Sequence, residues 1–104
     1  MTLPKPTDQE LVHARAAAVD ARRARAGLKQ RVKKGEISVA QAVSIAAGDD
    51  VLARIRVVDL LMSVPHVGEV RARRVMERLG IAPNRHVGGL GRLQIAALAK
   101  EFGE

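Results

Sequence analysis

The sequence predicts an all-α protein: a long N-terminal helix followed by a compact helical domain. Apolar residues recur at helical spacing and not in alternation, as in Ala72, Val75, Met76 and Leu79 at i, i+3, i+4 and i+7. Thr7-x-x-Glu10 and Ser38-x-x-Gln41 are capping-box signatures that mark helix starts. Gly35, Gly48, Pro65, Gly68, Gly80 and Pro83 punctuate the runs between them, and no stretch reads as a strand.

Residues 1–6 hold two prolines and form an irregular lead-in. Thr7 then caps a helix expected from Asp8 to Lys34, closed before Gly35, which at about 1.5 Å per residue is roughly 40 Å long. Its apolar stripe is Ala14, Ala18, Ala21, Leu28 and Val32; alanine favours helix but buries little surface, so this helix projects and docks at its end. Arg22, Arg25, Lys29 and Lys33 fall within one arc of about 80° at about 100° per residue. Such an arc reads first as a solvated helix face and second as an arm tracking a row of phosphates. Lys34 adds charge beside it.

Ser38 opens a short helix to about Ala47, with Val39, Ala42, Val43 and Ala46 inward and Gly48 at its end. Residues 7–48 thus form an N-terminal unit, and residues 49–104 the compact domain with most of the branched apolar side chains. Asp49 and Asp50 precede a further short helix carrying Val51, Leu52 and Ile55, and are read as N-caps and not as a metal or catalytic pair.

The chain turns on residues 57–79, VVDLLMSVPHVGEVRARRVMERL. Pro65 disfavours helix at Val64, so the first helix ends near Ser63. Gly68 can supply a left-handed or close-approach backbone, and the second helix opens at Glu69, whose charge suits the positive end of the helix dipole. Arg71, Arg74 and Arg78 recur along a face distinct from the apolar one. The free amides of a helix start attract anions, so a glycine hairpin followed by arginines suits a nucleic-acid backbone. The simpler alternative is a common turn with a solvated basic helix after it. Beyond Gly80 and the turn at Pro83, residues 84–92, NRHVGGLGR, form a basic loop. Its glycines allow close approach to phosphate or to a neighbouring helix, and Arg85, His86 and Arg92 are candidate contacts. A final helix over about 91–102 turns Ile95, Leu98 and Phe102 to the core.

Composition narrows the partner. The 104 residues carry 18 basic and 11 acidic side chains, a net charge of +7, with a pI near 11. Between residues 64 and 92 six basic side chains face two acidic ones. A small domain so basic points to a polyanion. Phe102 is the single aromatic, so base-stacking on single strands is disfavoured, leaving duplex DNA or, as the alternative, structured RNA. No apolar run suits a membrane span and no apolar N-terminal segment suits a signal peptide. The absence of cysteine excludes a disulfide framework and thiolate metal sites. His13, His66 and His86 lack metal-ligand spacing, the Gly-Gly-Leu-Gly run lacks nucleotide-loop spacing, and no nucleophile sits in a catalytic setting. An enzyme is not expected, nor a cofactor or a metal. A cytoplasmic monomer is. A helical adaptor whose charge serves solubility is the third alternative, against which the clustering of Arg71, Arg74, Arg78 and Arg85 argues.

Taken together, MTLPKPTDQE, AARRARAGLKQRVKKG, VVDLLMSVPHVGEVRARRVMERLGIAP, NRHVGGLG and KEFG, in this order, resemble the actinobacterial integration host factor family over nearly the whole chain. The resemblance implies a helix–two-turns–helix motif, related to those of small-subunit ribosomal proteins and DNA glycosylases. It implies a nucleoid-associated protein that binds duplex DNA with little sequence preference and bends or compacts it, affecting recombination and transcription. It places the main contacts at Pro65, His66, Val67, Gly68 and Arg71, with Arg85 and His86 as a second region. Arg74 extends the first, and Arg22, Lys29, Lys33, Lys34 and Arg92 are weaker candidates. The chain departs from the family's pattern at Glu69 and Gly88, where many members carry a basic residue, and at His86, where paired arginines are common.

Overall fold

The computed structural model describes residues 3–103 and is helical throughout that span. Helix α1 runs Asp8–Lys33, α2 Val39–Ala47, α3 Val57–Met62, α4 Glu69–Arg78 and α5 Arg92–Phe102. Single 3-10 turns at Leu52–Arg54 and Val87–Gly89 fill the connections. The described residues contain no strand, only an isolated antiparallel bridge between Arg56 and His86.

The ends of the helices follow from local chemistry. The Thr7 hydroxyl accepts from the Glu10 amide at 3.1 Å, one half of the expected capping box. At Ser38 both halves form: its hydroxyl accepts from the Gln41 amide at 3.1 Å, and the Gln41 side chain accepts from the Ser38 amide at 2.8 Å. Asp49 Oδ1 accepts from the amides of Val51 and Leu52, so this acid is a turn cap as read. Gly80, at φ +72, ends α4: its amide donates to the Glu77 carbonyl and the Ile81 amide to the Met76 carbonyl, the paired bonds of a Schellman motif.

Leu60, Leu61, Met76, Leu98 and Val57 are the largest fully buried side chains. α2 packs on α5, α3 on α4, and α1 touches α2 and the 52–54 turn. The core also takes in Leu28, Val32, Ile37, Val39, Ala42, Val43 and Ala46. The core thus draws on the end of α1 and on α2 as well as on the residues from 49 onward. Most of α1 stands out from this body, and the radius of gyration of 16.0 Å exceeds the roughly 13 Å of a compact chain of this length.

Of the two backbone roles open to Gly68, the left-handed one falls to another residue. The left-handed residue of the 57–79 hairpin is His66 (φ +68), while Gly68 is extended at φ −89 and serves as the N-cap of α4. The Val67 amide donates to the Val64 carbonyl at 3.1 Å, closing a four-residue turn over Pro65 and His66. Proline fixes φ at the second position, and the positive φ at the third makes this a type II turn.

Candidate nucleic-acid interface

The hairpin lies against the basic arc of α1. Lys29 and Lys33 line a shallow cleft of about 780 Å³ together with Pro65, His66, Val67 and Gly68. A second cleft of about 550 Å³ continues from it, lined by Arg22, Arg25, Lys29, Arg54, Arg56 and His86. Lys29 and Asp59 line both clefts and so mark their junction. Arg54 and His86 in turn also line a third hollow, with Asp50, Asn84, Arg85, Gly88 and Gly89. Three hollows in series thus join the hairpin, the α1 arc and the basic loop into one cationic strip.

Local structure fixes each part. Val67 is buried and its amide is taken by Val64, so its side chain anchors the hairpin to the core and its backbone faces inward. Gly68 is different: a Cβ there would meet nothing within 4 Å, and no side chain caps the start of α4. The first amides of that helix therefore remain available to an anion. Glu69, which would repel one, is engaged by Arg73 at 3.0 Å on its own helix.

The loop after Pro83 is ordered. The Val57 amide donates to the Arg85 carbonyl at 2.9 Å and the Val87 amide to the Ile55 carbonyl at 2.8 Å, which holds the loop beside the start of α3. Arg85 Nη1 donates to the Gly89 carbonyl at 3.1 Å, keeping this side chain along the loop. Gly88 is required by packing: a Cβ there would lie 2.6 Å from the Ala53 Cβ. Of the two roles open to the loop glycines, Gly88 thus serves approach to a neighbouring turn.

The arginines of α4 face elsewhere. Arg78 donates to both carboxylate oxygens of Glu101 on α5, at 3.0 and 2.6 Å. This bond, more than the charge itself, holds the Glu101 carboxyl below its ordinary value, with Arg71 acting more weakly through space. Arg71 and Arg74 are exposed and line none of the three hollows, and the same holds for Lys34 and Arg92. Arg54 and Arg56 escaped the sequence reading although they stand at the centre of the strip. Their only signal was the Arg-Ile-Arg pattern, in which buried Ile55 (3% exposed) turns both neighbours outward.

Comparison with known proteins matches this architecture. The S13-like H2TH domain family matches residues 32–102, a span that takes in the end of α1, the hairpin and the basic loop. Integration host factor of Mycobacterium tuberculosis (strain ATCC 25618 / H37Rv) is 44% identical over 103 residues, covering 99% of this chain and 98% of that protein. The chain belongs to the actinobacterial integration host factor family. Integration host factor of Streptomyces coelicolor is likewise 44% identical over 103 residues. A solved structure, sIHF bound to an 8-bp palindromic DNA, superposes with a TM-score of 0.82 at 45% identity, covering 85% of this chain and 99% of that one. Within this family fold, the H2TH match begins at residue 32 and agrees with a core that draws on α1 and α2.

Proposed function

We propose that the chain is a nucleoid-associated architectural protein that binds duplex DNA with little sequence preference and bends or compacts it, with recombination and transcription affected through the altered path of the DNA. The observation that carries this is the cationic strip, on a fold that a 45% identical relative presents in a DNA-bound structure. The strip offers arginines, lysines and open backbone amides, all suited to phosphate oxygens, and no aromatic platform for bases. Backbone contact positions a protein without reading sequence, so preference arises from duplex shape and deformability.

The proposed roles are as follows. Pro65, His66 and Gly68, with the first amides of α4, grip one phosphate cluster beside Lys29 and Lys33. Arg22, Arg25, Arg54, Arg56, Arg85 and His86 hold phosphates farther along the strip. Arg71 and Arg74 flank the hairpin on the side of α5. The protein acts as a monomer in the nucleoid, and among the described residues no helix is long and apolar enough to cross a membrane.

Competition between equal lengths of duplex DNA and stem–loop RNA tests the reading. Duplex DNA is expected to displace the RNA at the lower concentration. Preferential retention of RNA would overturn the DNA reading in favour of a ribosome-associated one.

A further inference from the structure

Asp59 is the only acid among the described residues lining the two clefts along α1, and it lines both of them. It is exposed, and among the described residues its carboxylate makes no hydrogen bond or ion pair; only its backbone carbonyl is engaged, by the Ser63 hydroxyl at 2.9 Å. Lys29 of α1 stands at the same junction without pairing with it. On one side lie Lys33 and His66, on the other Arg22, Arg25, Arg54, Arg56 and His86. Along these two clefts the charge therefore runs positive, negative, positive.

We propose that Asp59 is a selectivity residue that closes the middle of the strip to phosphate. The proposal rests on the strip being the DNA-binding surface. A duplex presents two phosphate rows separated by a groove, so it can fill both clefts, with Lys29 reaching to the row beside the hairpin and no phosphate against Asp59. A polyanion with one continuous row of charge must carry a phosphate across the junction, against the carboxylate. An acid in the first turn of the six-residue α3 also suits the helix dipole. That role concerns stability alone and does not depend on which polyanion is offered.

The test compares the wild-type chain, Asp59→Asn and Asp59→Glu against three ligands: a random-sequence duplex, one of its single strands, and long-chain inorganic polyphosphate. Repulsion between unit charges about 4 Å apart in water-like surroundings corresponds to about fivefold in affinity, less as salt screens it. Asp59→Asn is expected to bind the single strand and polyphosphate about three- to tenfold more tightly, with a gain of less than about twofold on the duplex. Asp59→Glu, which keeps the charge, is expected to discriminate as the wild type does, with melting curves confirming that all three proteins are folded. An equal gain on all three ligands, or no gain on any, overturns the assignment. Failure of the wild-type chain to bind duplex would instead bring down the DNA-binding reading itself, and the two failures are told apart by that first titration.

Discussion

Arg78 grips Glu101 through two hydrogen bonds, at 3.0 and 2.6 Å, and so ties α4 to α5. This takes one of the three regularly spaced α4 arginines out of the set available to a polyanion. Arg78→Ala is therefore expected to leave duplex affinity within about twofold, since it removes no phosphate contact on the strip. The pair carries a pH signature. Glu101 titrates below its ordinary value near 4.5 because Arg78 donates to its charged form. A carboxylate with a lowered folded pKa stabilises the fold above its unfolded value and loses that contribution as pH falls through the folded one. The melting temperature of Glu101→Gln should lie below that of the wild type near neutral pH, with the gap closing from about pH 5 downward. A constant gap across that range would contradict the pairing.

Gly88 predicts a packing defect. The added methyl of Gly88→Ala would sit 2.6 Å from the Ala53 Cβ and 3.2 Å from its carbonyl oxygen, far inside contact distance. Overpacking of this kind costs about 1–3 kcal/mol, measurable by urea unfolding. Ala53→Gly in the same chain should recover part of the loss, and a double-mutant cycle should return a coupling of at least about 0.5 kcal/mol. Simple additivity would show that the two turns do not meet as described.

The hairpin predicts a backbone effect. His66 takes φ +68, a region that β-branched residues avoid. His66→Val should lower stability by about 1–2 kcal/mol although the side chain is exposed, whereas His66→Gly and His66→Asn should be tolerated. Equal melting of the valine and glycine variants would refute the left-handed turn.

Arg54 and Arg56 predict a uniform loss of binding. Replacing both with alanine removes two side chains from the centre of the strip without touching the core, since only Ile55 between them is buried. Affinity should fall by a similar factor on every duplex, and the salt slope should become shallower by about two units. A loss restricted to particular sequences would point to base readout at this place.

How much of this was legible in the sequence depended on how local the cause was. Thr7, Ser38 and Gly80 fix helix ends through bonds to residues a few positions away, close to where they were expected, while Asp49 alone of the two acids caps what is only a 3-10 turn. His66 takes the left-handed place although the sequence offers Gly68 for it, because the turn closes over Pro65 and His66 and leaves Gly68 to the start of α4. The partner of Arg78 lies 23 residues away, and the neighbour of Gly88 lies in another connection, so no spacing rule reaches either. The basic arc of α1 read first as a solvated face, because a lone helix pattern cannot show what lies opposite. The hairpin and His86 supply that missing half, and Arg54 and Arg56 join it only because their short turn packs beside α1.

Binding of duplex DNA to the strip through phosphates is tested by fluorescence anisotropy with a random-sequence duplex of about 30 base pairs across a salt series. Neutralisation of about four to seven phosphates predicts a linear fall of log affinity with log salt, with a slope of about −4 to −6. Binding that is weak at low salt, or that holds its strength as salt rises, would contradict the account.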